Sequence, residues 1–335
     1  MNNKKTISII DIAKLAGVST ATVSHVINKR GRYSKATEEK VRAVIDEYGY
    51  VSNNAAKSLK SSSSHTVGLI IPNINNDFFS SIAVSIQQEI DFEDYSLFIC
   101  NTDNDPVKER RYFRKLDSMQ VDGIIVISCQ NRLESDLLSR NIPILLLDRT
   151  PINDMDLPSI TSNLQNGFYL ATKKLIEKGC RNIIFISSFL ATYVNTNRKD
   201  GYLQAMKESG LHAGNDTIIQ LKKGTSLYQS ETAIMDYLGQ EKKIDGIICT
   251  SDNQAIGAMA ALKRLNYSIP KDVKVFGFDN QLQSRICSPS LSTIERYPSE
   301  MGKTAAEILL KLIRNEETEK KTVISCSLVE RESTA

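Results

Sequence analysis

The sequence lacks the features that mark several large classes of protein. No apolar run in its 335 residues is long enough to span a bilayer, and no apolar signal-peptide core follows the polar, basic residues 1–6. The six cysteines form no Cys-x-x-Cys pair and the three histidines do not cluster, so the spacing of a zinc site is absent. A glycine-rich phosphate loop and a Gly-x-Ser-x-Gly motif are also absent. We therefore expect a cytoplasmic protein that is not an enzyme and holds no metal or cofactor.

The charge of the chain is unevenly distributed. The net charge is +3, but residues 1–60 carry a net charge of +6 and the remainder carries −3. A basic N-terminal segment on a mildly acidic body favours contact with nucleic acid. A solvated basic face is the common alternative, so the charge needs support from a motif.

Three regions follow one another along the chain. Residues 8–50 carry short helical patterns, and residues 51–65 are polar and rich in serine. From Thr66 onward, short apolar runs alternate with amphipathic stretches, which predicts doubly wound α/β architecture with parallel strands. The predicted strands are residues 67–71, 96–100, 123–128, 144–148, 182–187, 246–250 and 273–279. The predicted helices of this region are residues 78–92, 108–119, 167–178, 198–209, 226–238 and 253–265.

A weak internal repeat suggests that the α/β region has two lobes. Residues 121–128 and 244–251 are identical at five of eight positions. Two related lobes would leave a cleft at the carboxyl ends of their strands, which is where open α/β sheets bind small ligands.

The first region has the pattern of two helices joined by a tight turn. Ser8 and Asp11 have the spacing of a helix N-cap and its partner. Gly17 can adopt the positive φ of a short turn because it has no Cβ, and Ser19 follows as the cap of a second helix. A third helix is predicted over residues 33–50. This arrangement is typical of a helix-turn-helix motif that binds DNA.

The second helix of such a motif lies in the major groove and reads bases from its N-terminal part. The exposed candidates for reading bases are Thr20, Ala21 and His25. The residues suited to phosphate contacts are Ser19, Thr22, Ser24 and Asn28. Taken alone, His25 would be a solvated surface histidine, but its place on this helix favours a role in reading DNA.

Residues 10–29 closely resemble the start of proteins of the lactose-repressor family, and their Ser-x-Thr-Val-Ser-His-Val-Ile-Asn-Lys segment is similar to the purine and ribose repressors in particular. The resemblance implies a hinge helix after the third helix, over about residues 53–60, which enters the minor groove. Leu59 would then wedge between base pairs, with Ala56 and Lys57 alongside it. A flexible linker with one chance leucine is the alternative.

The resemblance extends along the whole chain and implies a body with the fold of periplasmic sugar-binding proteins. We expect a DNA-binding domain over residues 1–61, a serine-rich linker over 62–65 and an effector-binding domain over 66–335. The first lobe would comprise about 66–162 and 292–320, and the second about 163–291 and 321–335.

Three segments of the body resemble effector-binding loops of the family: residues 73–79, residues 147–149 and residues 277–279. Acidic residues in them can accept hydrogen bonds from paired sugar hydroxyls, arginines can donate two at once, and Phe78 and Phe79 offer flat apolar faces. Helix-start core packing is at least as good an interpretation of the two phenylalanines. The expected effector-binding residues are Asn76, Asp77, Phe78, Phe79, Asp148, Arg149, Arg198, Ser251, Asp252 and Asp279.

Several positions depart from the family pattern. Ser52 and Asp77 stand where the family usually has proline, and Ser251 replaces an asparagine that is common in ribose binders. Arg296 stands where such binders have glutamine.

We expect a repressor of sugar-utilisation genes that binds palindromic operator DNA as a homodimer. A dimer is favoured over a tetramer because the sequence has no leucine-heptad tail. Its effector would be a ribose-like sugar or a sugar phosphate. The alternatives are a purine-responsive repressor of the same family, a free-standing sugar-binding transport protein, and an enzyme. The helix-turn-helix pattern and the lack of a signal peptide weigh against the transport protein, and the lack of catalytic motifs weighs against the enzyme.

Overall fold

The computed structural model divides the chain into two units, residues 1–64 and residues 65–335. It describes residues 7–27, 31–50, 63–133, 140–151, 156–188, 193–221 and 227–335.

The N-terminal unit consists of three helices around a small core. Helix α1 spans Ile9–Ala16, α2 spans Thr20–Ile27 and α3 spans Lys35–Tyr48. Ser8 and Asp11 form the predicted capping box, and Gly17 ends α1 with a φ of 66°. The three helices share a buried core that consists of Ile12, Ala13, Val23, Val26 and Val41.

The second unit contains two parallel sheets and one short antiparallel pair of strands. Its strands are β1 (Thr66–Ile71), β2 (Ser96–Asn101), β3 (Gly123–Val126), β4 (Ile144–Leu147), β5 (Ser159–Ser162), β6 (Ile183–Ser187), β7 (Ile218–Gln220), β8 (Gly246–Cys249), β9 (Lys274–Phe276), β10 (Thr293–Glu295), β11 (Lys321–Ile324) and β12 (Ser327–Val329). Its helices are α4 (Asp77–Asp91), α5 (Pro106–Ser118), α6 (Leu164–Glu177), α7 (Tyr193–Glu208), α8 (Leu227–Leu238), α9 (Asp252–Arg264), α10 (Leu282–Ile286) and α11 (Pro298–Ile313). A 3-10 helix spans Glu332–Thr334.

Each lobe is a parallel sheet covered by helices on both faces. The first sheet has the strand order β11-β5-β4-β3-β1-β2, with α4 and α11 packed on one face and α5 on the other. The second has the order β7-β6-β8-β9, with α6 and α7 on one face and α8 and α9 on the other. The predicted doubly wound architecture is therefore confirmed, and each of the seven predicted strands corresponds to an observed one.

The predicted lobe bounds are wrong near the C-terminus. We expected residues 321–335 in the second lobe, but β11 pairs in parallel with β5 in the first sheet. We expected residue 292 to begin a first-lobe segment, but Ser292 bridges to Phe276 of the second sheet and Ile294 packs in that lobe's core. At both points, the chain therefore passes from one lobe to the other a few residues later than predicted. The edge strand β11 is short and mostly exposed, so its apolar pattern is weak.

Helix α7, which carries Arg198, lies very close to α6 at Gly201. A Cβ built on Gly201 would lie 2.1 Å from the carbonyl oxygen of Gln165 and 2.9 Å from the backbone nitrogen of Tyr169. Because both atoms belong to the backbone of α6, a side chain at this position would push the helices apart.

We predict that Gly201→Ala lowers the free energy of unfolding by about 1–3 kcal/mol, the usual cost of an overpacked core. Alanine favours a helix interior by about 1 kcal/mol over glycine, so a loss of stability would identify packing as the cause. Urea unfolding of the full chain measures the effect, with Lys199→Ala as the exposed control on the same helix. Equal or greater stability of Gly201→Ala would show that α6 and α7 do not need this close approach.

Candidate functional sites

Helix α2 exposes the side chains that we predicted to contact DNA. Ser19 accepts a hydrogen bond from the Thr22 amide over 3.1 Å and so begins the helix. Val23 and Val26 are fully buried on the inner face. The exposed candidates are Ser19, Thr20, Ala21 and His25, and the partly buried ones are Thr22 and Ser24. Asn28 and the hinge residues Ala56, Lys57 and Leu59 lie outside the described residues.

In the second unit, two predicted acidic residues follow strand ends in the left-handed region of backbone conformation. Asp148 follows β4 with a φ of 63°, and Asp279 lies shortly after β9 with a φ of 93°. This conformation is uncommon for residues other than glycine, and it recurs at functional sites. The first aspartate belongs to the first lobe and the second to the second lobe, as predicted.

Arg296 joins these two aspartates. Its Nη1 donates to Asp279 Oδ1 over 3.2 Å, and its Nη2 donates to Asp148 Oδ1. The guanidinium carbon lies 3.8 Å from the centroid of the Phe78 ring, and the residue is only 1% exposed. We call this arrangement of Arg296, Asp148 and Asp279 the Arg296 bridge. It connects the two lobes through one buried cation.

Burial controls the protonation of the groups in the bridge and beside it. It lowers the pKa of Arg296 to about 9, which still leaves the guanidinium charged at neutral pH. It raises the pKa of Asp279, and the nearby positive charge of Arg198 opposes this rise. Burial also lowers the pKa of Arg198 to about 10. Buried charges of this kind are tolerated only when a partner compensates them.

The two predicted arginines lie on opposite sides of the cleft. Arg198 of α7 is 9% exposed and lies 4.3 Å from the Phe278 ring centroid, and its Nη1 donates to the Thr250 carbonyl oxygen. Arg149 of the first lobe donates from Nη1 to Asn104 Oδ1 over 3.2 Å.

The two phenylalanines at the start of α4 belong to the core of the first lobe. Phe78 is 2% exposed and Phe79 is 7% exposed, so core packing is the better description of both. Each ring nevertheless faces an arginine, since Phe78 lies under Arg296 and Phe79 lies 5.7 Å from the Arg149 guanidinium. These rings therefore support cations in the cleft.

Asn76 and Asp77 lie where the two lobes approach each other. Asn76 caps α4 by accepting a hydrogen bond from the Phe78 amide. Its Oδ1 also lies 3.4 Å from Nε2 of Gln281, which comes from the second lobe. Asp77 lines an open cavity of about 720 Å³ beside the bridge, together with Asp279 and Gln281. This volume is within the usual range for small-molecule sites.

Ser251 and Asp252 have positioning roles. Ser251 caps α9 by accepting a hydrogen bond from the Gln254 amide. Asp252 is fully buried and accepts from the Thr293 hydroxyl over 2.6 Å and from the Gln281 amide over 2.7 Å. Its two oxygens therefore hold the loop that carries Asp279.

The sequence indicated Arg296 as a departure from glutamine but gave it no role. The signal was its residue type, since a long cation directly follows the short strand β10. Its partners could not be predicted because they come from three separate parts of the chain.

Comparisons with known proteins identify both units. Residues 8–53 match the family described as bacterial regulatory proteins, lacI family, and residues 172–334 match the periplasmic binding protein-like domain. The HTH-type transcriptional regulator RegA of Clostridium saccharobutylicum is 36% identical over 98% of this chain and 99% of its own length. The chain belongs to the lactose-repressor (LacI) family.

A second relative of this LacI-family regulator is the HTH-type transcriptional repressor PurR of Vibrio vulnificus, 35% identical over 94% of both chains. The lac repressor dimer bound to operator and the anti-inducer ONPF has a TM-score of 0.88 at 23% identity, over 98% of this chain and 99% of that one. A regulator from Alkaliphilus metalliredigens complexed with D-xylulofuranose has a TM-score of 0.71 at 30% identity, over 81% of this chain and 99% of that one.

These relatives are transcription regulators and not enzymes, as the sequence predicted. Across the described residues, no helix is long and apolar enough to cross a membrane. The same ranges contain no group of three histidine, cysteine or acidic side chains placed to hold a metal ion.

We predict that His25→Ala weakens binding to the specific operator by about 1–3 kcal/mol, the usual contribution of one base contact. Binding to random DNA should change little, because phosphate contacts dominate it. Fluorescence anisotropy on both DNAs at one fixed salt concentration measures the difference. Equal losses on both would mean that His25 does not read bases.

Asp252 gives the body a dependence on pH. Burial raises the pKa of Asp252 to about 6 from an ordinary value of 3.8, against hydrogen bonds that lower it. Between these values, the folded protein holds a proton that the unfolded chain has released. The contribution of this proton to the free energy of unfolding is therefore fully present below about pH 4, and it is lost as the pH rises through 6.

We predict that the free energy of unfolding of the parent protein, relative to that of Asp252→Asn, falls by about 1 kcal/mol between pH 5 and pH 7. Asparagine cannot titrate, so the difference isolates this carboxyl group. Urea unfolding at the two pH values tests it. A difference that stays constant or grows with pH would show that Asp252 is ionised in the folded protein across this range.

Proposed function

We propose that this LacI-family repressor controls genes of sugar utilisation, and that a sugar bound between the lobes changes its affinity for a palindromic operator. The observation that carries this proposal is that Asp148 and Asp279, which follow strands of the two lobes, meet at Arg296, while Arg198 of α7 lies against Phe278 next to Asp279. Open α/β sheets bind small ligands at this position.

Operator binding belongs to the N-terminal unit. Thr20 and Ala21 in the first turn of α2 and His25 in its last turn are exposed, and the family inserts this helix into the major groove. A homodimer presents two such helices with the same two-fold symmetry as a palindromic operator. The dimeric lac repressor on its operator supports this assembly. A regulator that acts on the chromosome works in the cytoplasm, where we place it.

A polyhydroxylated ligand suits the acidic side of the cleft. Asp148 and Asp279 each give Oδ1 to Arg296. Their second oxygens can accept hydrogen bonds from hydroxyl groups, since Oδ2 of Asp148 lies 3.9 Å from Arg149 Nε, beyond hydrogen-bond distance. The regulator complexed with D-xylulofuranose supports a sugar of this size.

A ligand that touches both lobes can select one of their relative orientations. The Arg296 bridge spans the same gap, so a ligand that competes for its carboxylates acts on the contact that sets this orientation. In the sequence, the DNA-binding unit precedes strand β1, which belongs to the first lobe. A ligand that favours one lobe arrangement by a few kcal/mol would therefore change operator affinity.

A purine effector is the second candidate, which the PurR relatives favour. A flat base needs a free aromatic face on which to stack, whereas the rings of Phe78 and Phe278 already face arginines. The contacts at the bridge therefore favour the sugar.

We predict that Asp279→Asn weakens effector binding by roughly tenfold to a few hundredfold and removes the effector's influence on operator affinity. The reason is that an amide replaces a buried carboxylate acceptor. A thermal-shift screen of D-ribose, D-xylulose, hexoses, their phosphates and hypoxanthine identifies the ligand, and calorimetry gives the affinity. Asp236→Asn, at an exposed position of α8, is the matched control.

Unchanged affinity in Asp279→Asn would place the effector outside this cleft. A shift with hypoxanthine and with no sugar or sugar phosphate would replace the sugar by the purine.

A further inference from the structure

The charges in the cleft are unevenly partnered. Both aspartates of the Arg296 bridge give an oxygen to Arg296. Arg198 makes no ion pair with any residue in the part of the chain that the structure describes. Its Nη1 donates to the Thr250 carbonyl oxygen over 3.2 Å, whereas its buried Nε has no hydrogen-bond partner among the described residues. One buried cation therefore has an unused donor beside the cleft.

A second cation lies on the opposite side. The only carboxylate oxygen that Arg149 reaches among the described residues is Oδ2 of Asp148, at 3.9 Å. Its other contacts are with the neutral side chains of Asn104 and Phe79. The positive charges of Arg149 and Arg198 repel each other across the cleft.

A further buried acid, Glu109, already has hydrogen-bond donors of its own. Glu109 accepts hydrogen bonds from the Ser128 hydroxyl, the Cys129 amide and the Gln130 side chain, at 2.7, 2.7 and 3.0 Å. These contacts hold the loop after β3. Glu109 is therefore not available as a partner for Arg198.

We propose that the effector carries an anionic group, a carboxylate or a phosphate, that binds the Nε edge of Arg198. This inference rests on the function proposed above and names the chemical class of its ligand. The guanidinium is a planar fork that binds two oxygens of such an anion at once. The carboxylate of Asp279 offsets the charge of Arg198 only through space, since the two form no ion pair among the described residues. Burial of the guanidinium remains unfavourable, and an anion bound at Nε compensates it whereas a neutral hydroxyl does not.

The anion also acts on the pair of arginines. A negative charge placed between Arg149 and Arg198 replaces their repulsion by two attractions. Since these residues come from different lobes, the anionic group itself favours the arrangement that brings the lobes together. The neutral part of the ligand then contacts the acidic side of the cleft.

Calorimetry on the full chain with matched ligand pairs tests the proposal. The pairs are D-ribose with D-ribose 5-phosphate, D-xylulose with D-xylulose 5-phosphate, and D-ribose with D-ribonate, which separate phosphate from carboxylate. We expect the charged member of at least one pair to bind tenfold or more tightly than its neutral partner. Inorganic phosphate alone should raise the melting temperature of the full chain, and sodium chloride should weaken both effects.

Two variants assign the preference to Arg198. Arg198→Gln should reduce the charged-to-neutral affinity ratio to near one, and Arg198→Lys should retain part of it because the charge remains. Lys199→Gln removes the same charge from an exposed position of α7 and should leave the ratio unchanged. The melting temperature of each variant shows whether it is folded.

Tighter or equal binding of every neutral sugar would overturn the anionic effector and leave the proposed sugar sensor intact. A preference that survives in a folded Arg198→Gln would overturn the assignment to this arginine. A response to hypoxanthine, with none to any sugar, sugar acid or sugar phosphate, would overturn the proposed function together with this inference.

Discussion

One buried guanidinium determines the organisation of the cleft. Arg296 is fully enclosed, and its ion pairs reach Asp148 in one lobe and Asp279 in the other. The desolvation of three charged groups is compensated only while all three remain together. The relative position of the lobes therefore depends on a polar contact. A ligand can replace a polar contact with its own groups more readily than it can replace a packed apolar interface.

The surroundings of the bridge are arranged to hold its members in place. Asp252 fixes the loop that carries Asp279 through the Thr293 hydroxyl and the Gln281 amide. Phe78 supports the face of the Arg296 guanidinium. Both aspartates have a positive φ, and such backbone strain persists only where the neighbouring structure determines it. A preorganised site of this kind can convert a small difference in ligand contacts into a preference for one lobe arrangement.

The sequence predicted the fold well because buried parallel strands are continuous apolar runs that need no knowledge of their neighbours. It was less successful where an element is short or exposed, as with β11 at the edge of the first sheet. In the cleft, residue type at a strand end identified Asp148 and Asp279. It could not show that Arg296 would occupy both, or that Ser251 would serve as a helix cap, because those roles depend on which distant segments meet in the folded chain.

The distance between the lobes tests most directly the claim that the Arg296 bridge sets their arrangement. Spin labels at the exposed positions Arg114 and Lys207 report this distance by electron–electron double resonance, with the partly exposed Cys129 and Cys287 replaced by serine. With labelled subunits diluted in excess unlabelled protein, so that only distances within one subunit of the homodimer are measured, we predict one narrow distance distribution in the parent protein and a longer, broader one in Arg296→Gln. The same distribution in both proteins would contradict the account, because the lobes would then be held together without the bridge.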